Sequence, residues 1–426
     1  MEKKRFLFVS EEALVGDLAW QVKKEGHEVK YYIGEKASKD ICDGFVDKCD
    51  EWEKHVEWAD VIVFDDVFFG EKADKLRKQG KAVVGGSVYT DKLEEDREFG
   101  QAELKKVGVN VLPHWDFTDF DEAIKFVQKN PGRYVVKPTS KGGEKELLFV
   151  GQEEDGKDVL QLLEHYKKAW AKKIKYFQLQ KYASGVEVAV GAFFNGVDFI
   201  TPINVNFEHK RMFPGDIGPS TGEMGTAMYW SPPNTIFRET LEKMKPALVQ
   251  SGYVGYVDIN CIVNARGIHP LEFTTRFGYP TISIQMEGIS SPMGEFLHAI
   301  ANKKPYDLKT KKGFQIGIVI AVPPFPFYDI AAFKKYSEDA TILFKKPATE
   351  GIHLGDVKFV EDDWRLAGYS GYVLVVTGSG MTMEEARKQT YQRIKNIMIP
   401  NMFYRTDIGV RWFTDSDKLH TWGYLY

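Results

Sequence analysis

Two carboxylates offer the most specific chemistry in this chain. Asp258 sits in Tyr256-Val257-Asp258-Ile259-Asn260-Cys261-Ile262-Val263, and Glu272 in Pro270-Leu271-Glu272-Phe273-Thr274. The intervening turn Asn264-Ala265-Arg266-Gly267 predicts an antiparallel hairpin, whose alternation can project both acids into one cleft. Paired hard oxygens suit Mg²⁺, which takes one or two carboxylates together with nucleotide phosphates. The plainer alternative is a solvated hairpin with an ordinary surface ion pair. Lys137, near the end of Tyr134-Val135-Val136-Lys137-Pro138, and the polar turn Ser140-Lys141-Gly142-Gly143-Glu144-Lys145 supply cations suited to phosphate.

Competing motifs are weak. No GxxxxGK[ST] sequence occurs, and no GxGxxG follows a strand. Gly218-Pro219-Ser220-Thr221-Gly222 fits the nucleophile-elbow pattern G-x-S-x-G. An elbow needs a strand before its serine and a helix after it, whereas Pro214 and Gly215 precede and Gly222 and Gly225 follow, so hydrolase chemistry is set aside. Residues 214–225 have neither helical nor strand period and read as a loop.

The elements that must position these groups follow from periodicity. Residues 6–9, 27–33, 61–64 and 81–84 read as short buried strands, with helical spacing at Leu14, Val15, Leu18, Ala19 and Val22, which predicts a parallel sheet wrapped by helices. Further helices are expected over 96–107 and after the cap at Thr118-Asp119-Phe120-Asp121. Strands are expected at 134–138, 147–150, 177–180 and 186–190. The charged, proline-containing stretch 302–313 reads as a domain boundary, followed by strands at 315–322 and 371–377 and a capped helix from Thr382.

The 426 residues carry 57 Lys plus Arg against 61 Asp plus Glu, a net charge of −4 that does not favour nucleic acid as a partner. The three cysteines, Cys42, Cys49 and Cys261, contain no CxxC pair; they suit a reducing cytoplasm and no structural zinc site. The apolar run at 6–9 is too short for a signal or a membrane span, and no other stretch is long enough.

Five segments in order resemble the ATP-grasp ligases, and among them the phosphoribosylamine-glycine ligase family. They are Val135-Val136-Lys137; Ser184-Gly185-Val186-Glu187-Val188; Glu208-His209-Lys210-Arg211 with the glycine-rich run 215–225; Glu272-Phe273-Thr274-Thr275-Arg276-Phe277-Gly278; and Phe403-Tyr404-Arg405-Thr406-Asp407-Ile408-Gly409. The resemblance covers nearly the whole chain. It implies Arg97, Lys137 and Lys145 as cations on the ATP phosphates. Gln180, Lys181 and Ala183 would belong to the hinge that reads adenine, with Glu187 on the ribose. It implies Asp258, Glu272 and Thr274 as ligands of Mg²⁺ or Mn²⁺, and Arg276 as the group that steadies charge when an acyl phosphate is attacked. Lys210, Asp216, Ser220, Thr221 and Gly222 fall in the substrate loop, while His209 reads as structural.

The departures are equally informative. Where the family has a glycine-rich first turn, this chain has Ser10-Glu11-Glu12-Ala13-Leu14-Val15-Gly16, whose carboxylates repel a substrate phosphate. The family's Arg-Phe-Gly-Asp-Pro-Glu stands as Arg276-Phe277-Gly278-Tyr279-Pro280-Thr281, and its metal-binding asparagine as Thr274. The expected fold is mixed α/β and α+β: a Rossmann-like pre-ATP-grasp lobe over 1–100, an ATP-grasp domain over 101–304 with a lid at about 118–185, and a C-terminal α+β lobe over 305–426. The implied activity is ATP-dependent joining of a carboxylate, glycine or another small amino acid, to an amine, as in purine biosynthesis. Two alternatives stay open: a divergent ligase acting on a different amine such as a modified nucleotide, and a non-catalytic ATP-binding subunit.

Overall fold

In strand Arg5–Ser10 successive side chains enter different cores. Phe6 and Phe8 pack into the main core, and Leu7 and Val9 into a second one with Trp52, Phe64 and Phe69. A strand apolar on both faces must be covered on both, which is the signature of a doubly wound lobe. It pairs in parallel with Glu28–Ile33 on one side and Val61–Phe64 on the other, and Val83–Val84 completes the four-stranded sheet. The computed structural model describes residues 2–138, 148–172 and 174–425.

After helix Arg97–Lys106, capped by Asp96, the chain builds a smaller body. Strands His114–Phe117, Phe177–Lys181, Tyr134–Pro138 and Phe149–Val150 form one sheet, backed by helices Phe120–Lys129 and Lys157–Ala169. Its separate core includes Val127, Tyr134, Leu163, Phe177 and Leu179, and each such burial stabilises by about 1.5–3 kcal/mol. Tyr134–Pro138 and Phe149–Val150 are antiparallel neighbours, as a hairpin requires. The expected lysine tip with Lys145 lies outside the described residues.

The main sheet has eight strands. Val186–Phe194 lies between Phe199–Glu208 and Gly255–Asn264, and Gly267–Thr274 forms one edge. Alternation divides its faces. Val188, Val190, Val205, Phe207, Val257 and Ile259 enter the core, while Glu187, Asn204, Asn206, Glu208, Asp258 and Asn260 share the opposite, polar face. Gly191 keeps that face open, because a Cβ there would lie 2.3 Å from Tyr256 Oη and 2.6 Å from Asp258 Cβ.

One observation adds to the expected boundary and one expectation changes. The strand after the charged break, Phe314–Ala321, pairs with both Gly225–Ser231 and Tyr372–Gly380, so the sheet continues across 302–313. The run read as loop contains strand Ile217–Ser220, paired with Arg211–Phe213 around a turn with positive φ at Gly215 and Asp216. This hairpin is half-buried or exposed throughout and has no core face, so pairing leaves no hydrophobic period in its sequence.

Candidate active site

The hairpin register places Asp258 opposite Thr274 and Asn260 opposite Glu272, so both acids share the polar face as diagonal neighbours. Lys210 stands among the carboxylates of this face. Its Nζ lies 3.1 Å from Glu187, 3.4 Å from Glu208 and 3.2 Å from Glu272. Arg97, at the start of its helix, reaches Glu272 at 3.5 Å. Lys137 is 6% exposed, and burial together with Arg97 pushes its pKa down to about 7 while Glu272 pulls the other way. Lys210, ahead of Arg97 and Lys137, holds Glu272 well below the usual carboxylate range despite burial. Cations and acids from Arg97, the smaller body and the main sheet thus converge at one place.

Asp258 has a different setting. Burial first, then Glu208, raise its pKa well above the usual range, while Thr274 favours its charged form. Its Oδ1 is buried without a hydrogen bond. Among the described residues no three of His, Cys, Asp and Glu converge as a metal cage. Two carboxylates and a hydroxyl nevertheless fit Mg²⁺, whose remaining ligands are ordinarily phosphate oxygens and water.

Arg276 is fixed from the first lobe. Its Nε lies 3.0 Å from Asp66 and 3.1 Å from Glu94, and its Nη1 donates to the Phe277 carbonyl at 3.0 Å. Burial opposes its charge, but Glu94 and Asp66 more than offset that and raise its pKa. These ion pairs also orient the guanidinium.

The lid-side residues are partly occupied by their own fold. Gln180 is buried, while the Lys181 amide donates to Pro113 O at 2.8 Å and the Tyr182 amide to Arg133 O at 3.1 Å. Ala183 is half-buried beside them. Glu187 accepts from Lys210 and, at 2.9 Å, from Asn260 Nδ2, so it lies within the charged cluster.

The glycine-rich stretch divides. Thr221 donates through its amide and its hydroxyl to the Lys210 carbonyl, at 2.8 and 2.9 Å, and so sets the lysine's backbone. Gly222 is exposed, and Ser220 pairs with Arg211 in the small hairpin. Asp216, expected in the substrate loop, is held in ion pairs. Its two oxygens are bound by Arg405 at 2.9 Å and Arg411 at 3.3 Å. Arg405, fully buried, also grips Asp407 at 2.7 Å and the Arg211 carbonyl at 2.9 Å. The tail therefore fastens the hairpin to the sheet. His209 is 1% exposed beneath this network, with both ring nitrogens unpaired, and burial followed by Arg411 and Arg405 lowers its pKa to about 4.

Sequence reasoning missed Glu208, Asn260, Glu94, Asp66 and Glu223. Asn260 carried a signal, since it stands two residues from Asp258 on one strand and hence on the same face, and Glu208 stands two residues from Lys210 at the end of its strand. Glu94 and Asp66 carried none, because they meet Arg276 only through the docking of the first lobe. At the turn Ser10-Glu11-Glu12, Ser10 Oγ accepts from the Ala13 amide at 2.8 Å, and burial followed by Asp66, Glu35 and Glu11 raises the pKa of Glu12.

Comparison with known proteins agrees with this geometry. Residues 95–282 match the family model described as phosphoribosylglycinamide synthetase, ATP-grasp (A) domain, and residues 317–411 match its C domain. Phosphoribosylamine-glycine ligase of Listeria monocytogenes serotype 4b is 27% identical over 382 residues, covering 85% of this chain and 86% of that one. The Clostridium acetobutylicum ligase is 22% identical over 418 residues, covering 92% and 96%. Among solved structures, phosphoribosylamine-glycine ligase from Thermotoga maritima superposes with a TM-score of 0.70 at 21% identity, covering 95% of this chain and 100% of that one. Biotin carboxylase from Campylobacter jejuni gives 0.66 at 15% identity, covering 99% and 97%. With both matched domains present in order on an ATP-grasp fold, the chain belongs to the phosphoribosylglycinamide synthetase family of ATP-grasp carbon–nitrogen ligases.

Proposed function

We propose that this enzyme joins a small amino acid, with glycine as the leading candidate, to an amine at the expense of ATP, and that the polar face of the main sheet is where it does so. The observation that carries this reading is the placement of Lys210, Arg97 and Lys137 around Glu272. Two cations paired with a half-exposed carboxylate, and a third acting on it, make a site for polyphosphate and its divalent metal. The division into a lobe over 1–100, an ATP-grasp domain over 101–304 and a C-terminal part over 305–426 belongs to the same reading.

In this mechanism Arg97 and Lys137 neutralise the ATP phosphates, and the segment holding Gln180, Lys181 and Ala183 borders the adenine. Asp258, Glu272 and Thr274 would hold Mg²⁺ or Mn²⁺, which when bound offsets charge on the transferred phosphoryl group. A carboxylate oxygen of the amino acid attacks the γ-phosphorus, and the bond to the β-phosphate oxygen breaks, releasing ADP. The amine nitrogen then attacks the acyl carbon, loses a proton, and expels inorganic phosphate. Arg276, held by Asp66 and Glu94, is placed to donate to the oxygen that gains charge during this attack.

The relatives' names designate phosphoribosylamine as the amine. A second reading, an amine without phosphate, is favoured by the acidic turn, where Glu11, Glu35 and Asp66 surround Glu12. Incubation with ATP, Mg²⁺ and glycine, with phosphoribosylamine generated in place or with a panel of unphosphorylated amines, tests both. The first reading requires ADP release and an amide with phosphoribosylamine, and the second requires them only with the other amines. ATP turnover that ignores every amine would refute both.

A further inference from the structure

The successive backbone carbonyls of Glu208, His209, Lys210 and Arg211 are each held by a different group. Strand Phe199–Glu208 ends at Glu208 and strand Arg211–Phe213 begins at Arg211, so His209 and Lys210 belong to neither. The His209 carbonyl accepts from the Met224 amide at 2.8 Å, and the Lys210 carbonyl from the Thr221 amide and hydroxyl at 2.8 and 2.9 Å. The outer two are taken by arginine side chains of the C-terminal tail. Arg411 Nη2 donates to Glu208 O at 2.8 Å and Arg405 Nη1 to Arg211 O at 2.9 Å, across 203 and 194 positions of sequence.

Lys210 needs such a frame. A lysine ammonium rides on a flexible stem, so its place among Glu187, Glu208 and Glu272, at 3.1, 3.4 and 3.2 Å, depends on a backbone that lies beyond the end of its strand. Glu208 enters twice, because Arg411 holds its carbonyl while its carboxylate meets Lys210. The carboxylate partners of Arg411 are Asp216 at 3.3 Å and Asp415 at 3.8 Å, and among the described residues it forms no ion pair with the acids around Lys210. It reaches them through the Glu208 backbone. A displacement of about 1 Å at a reacting group can cost on the order of a hundredfold in rate, so a frame of this kind bears on catalysis.

Resting on the ligase reading, we infer that Arg411 is a positioning residue for the reaction, which by holding the Glu208 carbonyl sets Lys210 in place among its three acids. The last helix of the chain, Trp412–Thr421, begins directly after it and so completes a charged face built mostly by the main sheet. Arg405 braces the other side of Lys210 but is fully buried, whereas the Arg411 side chain is 33% exposed and can be changed without opening a core.

The test uses the full-length protein and two measurements, one of which needs no turnover. Limited acetylation followed by mass spectrometry reports whether the Lys210 ammonium sits among its acids, because only the neutral amine reacts and three carboxylates favour the charged form. Steady-state ADP release with Mg²⁺, glycine and phosphoribosylamine or the unphosphorylated amines reports the reaction. Arg411→Ala is expected to raise acetylation of Lys210 at least fivefold while that of lysines in the smaller body stays within twofold, and to lower kcat at least tenfold. Methylguanidinium ion is expected to restore both at an unchanged unfolding temperature. Arg411→Lys keeps the charge but lacks the planar fork that spans Glu208 O and Asp216, so it is expected to fall between the two, and it carries the test if the alanine variant does not fold. Acetylation of Lys210 and kcat both within twofold of the wild type in a folded variant overturn the inference. So does a loss that follows the unfolding temperature and ignores methylguanidinium, since Arg411 would then only fasten the hairpin. A wild type that releases no ADP with any amine counts against the ligase reading alone, and acetylation still decides whether Arg411 places Lys210.

Discussion

Lys210 Nζ lies 3.2 Å from Glu272 Oε1, joining the segment after strand Phe199–Glu208 to the edge strand Gly267–Thr274 of the main sheet. The two residues are 62 positions apart in sequence and meet only because strands from both sides of Val186–Phe194 carry their acids on one face. This contact ties the charge of the site to the register of the sheet. Removing either partner leaves the other in a half-buried setting crowded with charge.

Lys210→Met is therefore expected to lower the rate of ATP-dependent ligation by at least roughly a hundredfold, because Glu187, Glu208 and Glu272 would then repel one another and the incoming phosphates. Steady-state ADP release, with circular dichroism to show that the variant folds, measures it. A loss below threefold would mean that the cluster is structural.

Arg276→Lys keeps the charge but loses the planar fork that Asp66 and Glu94 hold at 3.0 and 3.1 Å. The expected result is a fall in kcat of roughly a hundredfold with the KM for ATP within twofold, if the arginine acts on the acyl centre as proposed. A rise in the KM for ATP with kcat unchanged would place Arg276 at the phosphates.

The tail makes a structural prediction. Arg405 is fully buried and bonded to Asp216 and Asp407, so Arg405→Ala leaves Asp407 without its cation and Asp216 with Arg411 alone, and is expected to destabilise by about 3 kcal/mol. Urea denaturation of the variant against the wild type checks this. A change below 1 kcal/mol would show that the hairpin does not need its fastener.

His209 sets an acid limit on stability. Its folded pKa of about 4 lies below the ordinary histidine value, so between pH 6.5 and 4 the unfolded chain binds a proton that the folded chain refuses. Stability from this group is complete above about pH 6.5 and is lost as pH falls, by up to about 3 kcal/mol. Thermal unfolding of the wild type and of His209→Asn across this range should show a steeper fall for the wild type. Parallel curves would assign the acid sensitivity elsewhere.

How far the molecule could be read from its sequence depended on whether a group's position was local. Asp258 and Glu272 were legible because a short turn and strand alternation fix their shared face within a few residues. The first lobe was legible because Phe6, Leu7, Phe8 and Val9 form an unbroken apolar run. Glu94 and Asp66 were not, since their meeting with Arg276 depends on how a parallel sheet docks against an antiparallel one. The ion pair of Asp216 was not legible either, because its partner, the buried Arg405, lies 189 residues later. The continuity of the sheet across 302–313 was hidden for a related reason. A charged break marks a change of chain direction without revealing which strand the next one will join.

The central claim is that the acids and cations of the polar sheet face drive amide formation through phosphoryl transfer to a carboxylate. It is tested most directly by following ADP and amide together, by coupled assay and mass spectrometry, with ATP, Mg²⁺, glycine and an amine panel, for the wild type and for Glu272→Gln. The account requires equimolar ADP and glycine amide with at least one amine, and loss of both by a hundredfold or more in the variant. ADP formed without amide under every condition, or undiminished ligation by Glu272→Gln, would contradict it.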